Sequence, residues 1–445
     1  MGRRSHSRAL SVWANGVRVA TWRIPARGEV ELQYDEAWRA SGGGRPLSLS
    51  LPFTADNSPL KGEAVENYFD NLLPDSTDLR KRAAARFRAA STAPFDLLAT
   101  IGRDCVGAVQ LLPLDDFPEG FDRIQGTPIS DEGIAAYLQG MLAPPAPGQG
   151  EEGEFRISIA GAQEKTALLR HEGRWFVPHA ATPTTHILKL PLGLVGNMNA
   201  DLTTSVENEW LCMQLLRAFG LPVVNASMLD FAGRRVLCVE RFDRQLHSSG
   251  TWIMRLPQED FCQVPGLPHT RKHAAEGGPG LPDIARILVN SERGQQDIAT
   301  LLKAQLLFWM LAATDGHAKN FSIQLLPQGR YRLTPLYDVV SIWPILGGGP
   351  NQLSWHKAKL AMAVSGRSKH YLLKDIQRRH FNAMAPRCGH GSSAEPLIEA
   401  LLQRLPGAIA EVNAMLPAGF PQRVADSIFA GLQDSEARLR QMPPA

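Results

Sequence analysis

The chain has 445 residues, 44% of them apolar, with a net charge of +3 and an isoelectric point near 8.6; this length suits two or three domains with a large core, and the composition excludes a disordered chain. So mild a charge does not demand nucleic acid, although the basic run from Arg80 to Arg88 leaves a DNA or acidic partner open. Five cysteines without CxxC spacing predict neither a disulfide framework nor a zinc site, and the lack of a signal-peptide core or a run of 18 apolar residues makes the cytoplasm the expected location and a membrane partner unexpected.

In chain order, Asn15-Gly16 between alternating apolar stretches predicts a type I′ hairpin, and the alternation of RPLSLSLPF, residues 45–53, predicts a further strand. Helical patterns follow in NYFDNLLPDS (67–76) and PFDLLATIG (94–102), then a strand in GAVQLLP. ISDEGIAAYLQGML (129–142) reads as an amphipathic helix capped by Ser130 or Asp131. The Pro/Gly-rich stretch 143–153 marks a domain boundary, closing a small mixed α/β N-terminal domain over residues 1–145.

Beyond it, FRISIAG, the loop GAQEK and TALLR form a strand–loop–strand ribbon suited to lie over a nucleotide, followed by a turn at Glu172-Gly173. The strand THILKLP carries Lys189 among apolar neighbours, where an ammonium needs a pair or an anion; its place favours the α- and β-phosphates of a nucleotide. In the helix 205–220, Glu207 and Glu209 are both candidates to pair with Lys189. Two strands around Ala232-Gly233 lead to Glu240, Arg241 and Phe242, placed where a kinase hinge offers backbone groups to adenine. A β-rich lobe over 154–242 and a helical lobe over 243–445 follow from this order, the second interrupted by a long loop at 264–283.

The chemistry concentrates in ATDGHAKNF, residues 313–321, at the end of the apolar segment AQLLFWMLAA. An Asp with an Asn five positions on is what a phosphotransferase needs: Asp315 to orient and deprotonate the attacking hydroxyl, Asn320 to hold Mg²⁺. A hairpin pattern then places Asp338 at a strand end, a second Mg²⁺ ligand. His317 fits a catalytic-loop role or a backbone hydrogen bond; Lys319 fits a phosphate contact or solvent.

RPLSLSLP, NYFDNLLPDS, PFDLLATIGRD, ISIAGAQEKTALL, TPTTHILKLP, VERFDR, LPQEDFCQ, GGPGL, ATDGHAKNFS, YRLTPLYDVVS and KLAM, in that order, resemble the HipA family of bacterial serine/threonine kinases. These are the toxin halves of toxin–antitoxin pairs associated with growth arrest and persistence. The resemblance implies an α+β, bilobal protein-kinase-like fold, phosphoinositide-kinase-like in its D-x-H-x-x-N loop. It implies Asp315 as catalytic base, Asn320 and Asp338 as Mg²⁺ ligands, and an ATP site built from Ala160, Gly161, Ala162, Gln163, Glu164, Lys165, Lys189, Glu240, Arg241, Phe242, His317, Ala318, Lys319, Asn320, Tyr337 and Asp338. It also implies autophosphorylation at Ser158, a helix-turn-helix antitoxin dimer resembling HipB, operator DNA met mainly through that antitoxin, and an aminoacyl-tRNA synthetase, the glutamyl enzyme, as protein substrate. The residues alone also admit a small-molecule or lipid kinase, or a non-catalytic corepressor subunit.

Overall fold

The computed structural model describes residues 7–142, 163, 165–195, 199–349 and 351–443. The linker 143–153, Ser158, Ala160, Gly161, Ala162 and Glu164 lie outside the described residues.

The chain opens with an antiparallel five-stranded sheet in the order Leu60–Lys61, Glu31–Tyr34, Val17–Ile24, Arg8–Ala14, Gln110–Pro113. Its first hairpin turns at Asn15 and Gly16, both left-handed (φ 50° and 79°), which is the turn that an Asn-Gly pair permits at low cost. Helices Glu63–Asp70, Thr77–Arg86 and Pro94–Ile101 cover the sheet, and Trp22 stacks on Phe69 at 4.0 Å in the core between them. The expected strand at 45–53 is irregular instead. Its alternation has another cause: Leu47 and Leu51 are buried, while Ser48 and Leu49 N–H donate to the Glu259 carboxylate in the other domain.

A second, antiparallel six-stranded sheet runs in the order Ala226–Phe231, Arg234–Glu240, His186–Lys189, Lys165–His171, Arg174–Pro178, Gly126–Pro128. Its edge strand Gly126–Pro128 and the helix Asp131–Leu142 both precede residue 145, yet belong here. Ile134, Ala135 and Leu138 of that helix share a core with Leu168, Leu188, Val236 and Cys238, so the change from the first domain to the second sheet comes before the Pro/Gly stretch. Ser130 caps the helix by accepting from Gly133 N–H at 3.2 Å.

The helix Ser205–Ala218 lies between this sheet and a helical lobe of Leu281–Leu288, Gly294–Met310, Arg378–Arg387, Glu395–Ala414 and Gln422–Gln441. A three-stranded sheet, Gln258–Asp260, Ser322–Leu325 and Tyr331–Leu333, lines the floor of the cleft. The long loop 264–283 is an ordered strap with short 3-10 turns at His269–Arg271 and Ala274–Glu276. It joins the first domain to the cleft: Asn67 and Asn71 side-chain amides donate to Gly266 O (2.8 Å) and Leu267 O (2.9 Å). Among the described residues no helix is long and apolar enough to cross a membrane.

Candidate active site

Between the six-stranded sheet and the helical lobe lies a cavity of about 930 Å³. Helix Gly294–Met310 delivers the chain to its floor. The helix ends in a Schellman pair of bonds, Ala312 N–H to Trp309 O (3.2 Å) and Ala313 N–H to Phe308 O (2.7 Å), with Ala312 in the left-handed region at φ 48°. An alanine there costs about 1 kcal/mol relative to glycine, and the turn aims the next residues, Thr314 and Asp315, into the cleft.

Asp315 lies at the mouth, its side chain 77% exposed and open to an incoming molecule. His273 Nε2 of the strap is 3.8 Å from its carboxylate and His317 Nε2 4.0 Å. The Asp315 carboxylate facing His273 raises its pKa, whereas burial lowers that of His317. Asn320 is buried and fixed, its Oδ1 accepting from His317 N–H (3.2 Å) and its Nδ2 donating to Asp338 Oδ2 (3.1 Å).

Asp338 stands five residues past the strand that ends at Leu333, rather than at its end. Its backbone is left-handed (φ 62°), a conformation a non-glycine residue holds only where its surroundings impose it. Its carboxylate is held by charge: Lys189 Nζ donates to Asp338 Oδ1 at 2.7 Å and to Glu209 Oε1 at 2.6 Å. Burial works against the charged Lys189, but the two carboxylates prevail and raise its pKa; burial likewise opposes the charged Asp338, yet Lys189 and Lys165 hold it well below the usual range. Glu209, desolvated in the same contact, is pushed up to about 7. Glu207 pairs with Arg235 (3.3 Å), which settles the choice between the two glutamates. Lys165 lies beside Lys189 in the antiparallel register and lines the cavity with Gln163, whose amide is held by Leu190 O at 2.7 Å. Carboxylate and side-chain amide oxygens are the hard donors Mg²⁺ takes, so Asp338 and Asn320 fit that ion.

Two residues expected at the nucleotide direct their charge elsewhere, although both touch the cavity wall. The Arg241 guanidinium turns away into a buried cluster with Asp243 (2.9 Å), Asp104 (3.3 Å) and Thr184 (2.9 Å). Lys319 Nζ is taken up by Asn71 Oδ1 (2.9 Å), Asp75 (3.3 Å) and Asp260 (3.4 Å). Ala318 is fully buried behind the loop, its N–H on Lys272 O (3.1 Å). Glu240 is tied to Asn225, while Phe242 stacks on Tyr337 at 5.8 Å, and these two rings with Ile187 and Val239 form an apolar wall suited to a purine. His273, Asn71 and Asp75 are not among the sequence candidates; for Asn71 and Asp75 the only signal is the acidic and amide positions of NYFDNLLPDS, whose pattern is that of a helix.

The HipA N-terminal domain family matches residues 10–112, and the HipA-like C-terminal domain family matches residues 157–409. The Sinorhizobium fredii protein Y4mE is 33% identical over 411 residues, 92% of this chain and 91% of that one. The serine/threonine-protein kinase toxin HipA of Shewanella oneidensis is 27% identical over 403 residues, 87% and 84% of the two chains. The solved complex of Shewanella oneidensis HipA with HipB and operator DNA contains a chain of the same fold, with a TM-score of 0.77, 23% identity and 97% coverage of both chains. Matched along most of its length by both domain families and by these relatives, the chain belongs to the HipA family.

Proposed function

We propose that this protein is an ATP-dependent protein serine/threonine kinase acting as the toxin of a type II toxin–antitoxin system in the cytoplasm. The observation that carries the reading is the contact of the buried Lys189 with both Glu209 and Asp338, on whose second oxygen Asn320 is anchored. A lysine in that position can give up one carboxylate to a triphosphate without losing its orientation.

Lys189 and Lys165 would meet the phosphates, and the wall of Ile187, Val239 and Phe242 would take the adenine. Asp338 and Asn320 would hold Mg²⁺, whose charge would offset that of the phosphates. Asp315 orients the acceptor hydroxyl. As the hydroxyl oxygen bonds to the γ-phosphorus, the bond to the β–γ bridging oxygen breaks, ADP leaves with those electrons, and the hydroxyl proton passes to the Asp315 carboxylate.

The finer parts of this reading rest on the family. A HipB-like helix-turn-helix dimer, with operator DNA met mainly through it, is the proposed partner, supported by the composition of the Shewanella complex. Glutamyl-tRNA synthetase is the proposed substrate, growth arrest and persistence the outcome, and Ser158 the proposed site of self-phosphorylation; a dianion there would repel the incoming triphosphate. The test is incubation with labelled ATP, Mg²⁺ and cell extract beside Asp315→Asn, whose transfer rate should fall about 10²- to 10⁴-fold with ATP binding intact. Label on Ser158 and on a synthetase supports the full reading. Full activity in Asp315→Asn would overturn the assigned base, and label confined to small molecules would overturn the protein substrate.

A further inference from the structure

Lys319 lies between the proposed base and the first metal ligand, yet its ammonium leaves the cleft and enters the N-terminal domain, whose nearest residue, Asn71, is 248 positions away in sequence. The side chain is 4% exposed. Asp75 bridges it to the strap, with Oδ1 at 3.3 Å from Lys319 and Oδ2 at 2.9 Å from Lys272. The strap returns to the loop twice, through Lys272 O on Ala318 N–H and through His273 facing Asp315. On its other side the loop passes the constraint on: Lys319 O accepts from the Tyr337 hydroxyl at 3.0 Å, and Tyr337 precedes Asp338.

The charges in this contact balance. Two ammonium groups, Lys319 and Lys272, face two carboxylates, Asp75 and Asp260, along the wall of the cleft, with Lys319 and Asp75 buried and Lys272 18% exposed. Removing Asp75 would leave a buried ammonium short of a partner, and the relief available to it is to move, taking the backbone between Asp315 and Asn320 with it. Asn71 helps hold the geometry, since its Oδ1 accepts from Lys319 while its Nδ2 donates to the strap at Leu267 O.

We propose that Asp75, with Asn71, is a positioning residue of the active site: by holding Lys319 it sets Asn320 and Asp338 for the metal, so the N-terminal domain is a working part of the catalytic loop. This rests on the phosphotransfer reading of the cleft. It makes the contact of Asp75 and Asn71 with Lys319, rather than the domain contact elsewhere, a condition for metal binding, and gives anything that pries Asp75 from Lys319 a direct route to the active site.

The test uses the full chain as wild type, Asp75→Asn, Lys319→Met and the double variant, with Ser48→Ala loosening the same domain contact away from the loop. Mn²⁺ affinity in the presence of ADP is read by electron paramagnetic resonance, and kcat and ATP KM by transfer. In Asp75→Asn, Mn²⁺ binding should weaken about tenfold and kcat fall about 10- to 100-fold, the scale of a small misplacement of reacting groups, with ATP KM little changed. The double variant should resemble Lys319→Met alone, because with the ammonium gone Asp75 has nothing left to hold. Should Asp75→Asn fail to fold, Asn71→Ala carries the same readouts with no charge removed. Unchanged Mn²⁺ affinity and kcat in Asp75→Asn, or an equal loss in Ser48→Ala, would overturn the proposal while leaving the kinase reading standing. A wild type that binds no Mn²⁺ with ADP would overturn both.

Discussion

At the scale of single residues, the cleft sets two lysines against one aspartate, and their fates differ. Lys189 has two carboxylates and stays charged; Lys165 has none within hydrogen-bonding distance among the described residues, and burial, reinforced by Lys189, pulls it down to about 8 against the attraction of Asp338. In the folded chain Lys165 therefore binds its proton less tightly than in the unfolded chain. Its charged form disfavours folding below pH 8, and that penalty fades as the pH rises toward the ordinary value of 10.5. Its effect on binding runs the other way. The charge proposed to meet a triphosphate is present below pH 8 and lost above it, so KM for ATP should rise as the pH passes about 8. Lys165→Arg keeps its charge throughout and should flatten that profile; a KM that stays level in the wild type to pH 9 would remove Lys165 from the phosphate site. The spacing of Asp315 and Asn320 is local, so the sequence displays it. The choice between Glu207 and Glu209 was not legible: the two differ by about 200° around a helix, and which one faces Lys189 depends on how the helix is rotated against a sheet. Lys319 was illegible for the same kind of reason, since two of its partners, Asn71 and Asp75, are in another domain.

Among elements, hairpins were the most legible, because Asn15-Gly16, Glu172-Gly173 and Ala232-Gly233 each carry left-handed turns flanked by alternating strands. The stretch 45–53 misled because serines that reach Glu259 and Gln263 O and leucines that enter the core alternate like the two faces of a strand. The strap 264–283 lacks periodicity altogether; its order comes from bonds to the N-terminal domain. Helix Gly294–Met310 and the catalytic loop show what close packing contributes. Gly316 rests on the ring of Phe308, a residue of that helix, and a methyl added at Gly316 would come within 2.5 Å of Phe308 Cδ2. Phe308 is 2% exposed and has nowhere to retreat. Gly316→Ala should therefore cost about 1–3 kcal/mol in chemical denaturation, the usual range for overpacking. It should also lower kcat, because the loop rather than the helix yields; an alanine variant of wild-type stability would show that the ring is free to turn aside.

For the whole molecule, the N-terminal domain is joined to the catalytic lobes by buried charge more than by shared apolar core, since the largest apolar clusters stay within their own domains. Asp104 receives Arg241, Arg244 and Arg255; Asp243 receives Arg241, Arg244 and the Gly107 N–H; Asp75 receives Lys319 and Lys272. Burial opposes ionisation of each carboxylate, but the facing cations prevail, and Asp75 and Asp243 are both lowered to about 2 from an ordinary 3.8. A carboxylate whose folded pKa is depressed contributes stability that is complete above its unfolded pKa and is lost as the pH falls through the folded one. For each of these two that is about 2 kcal/mol, released between about pH 4 and pH 2. The midpoint of thermal unfolding should thus be flat from neutrality to about pH 4.5 in respect of these groups and then drop steeply. Asp75→Asn should start lower at pH 7, because Lys319 loses one of its two carboxylates, and fall less steeply in acid, because one of the titrating groups is gone. Parallel curves for the two proteins would mean that Asp75 is not ionised in the folded chain, and the charge-linked docking of the N-terminal domain would then have to be carried by Asp104 and Asp243 alone.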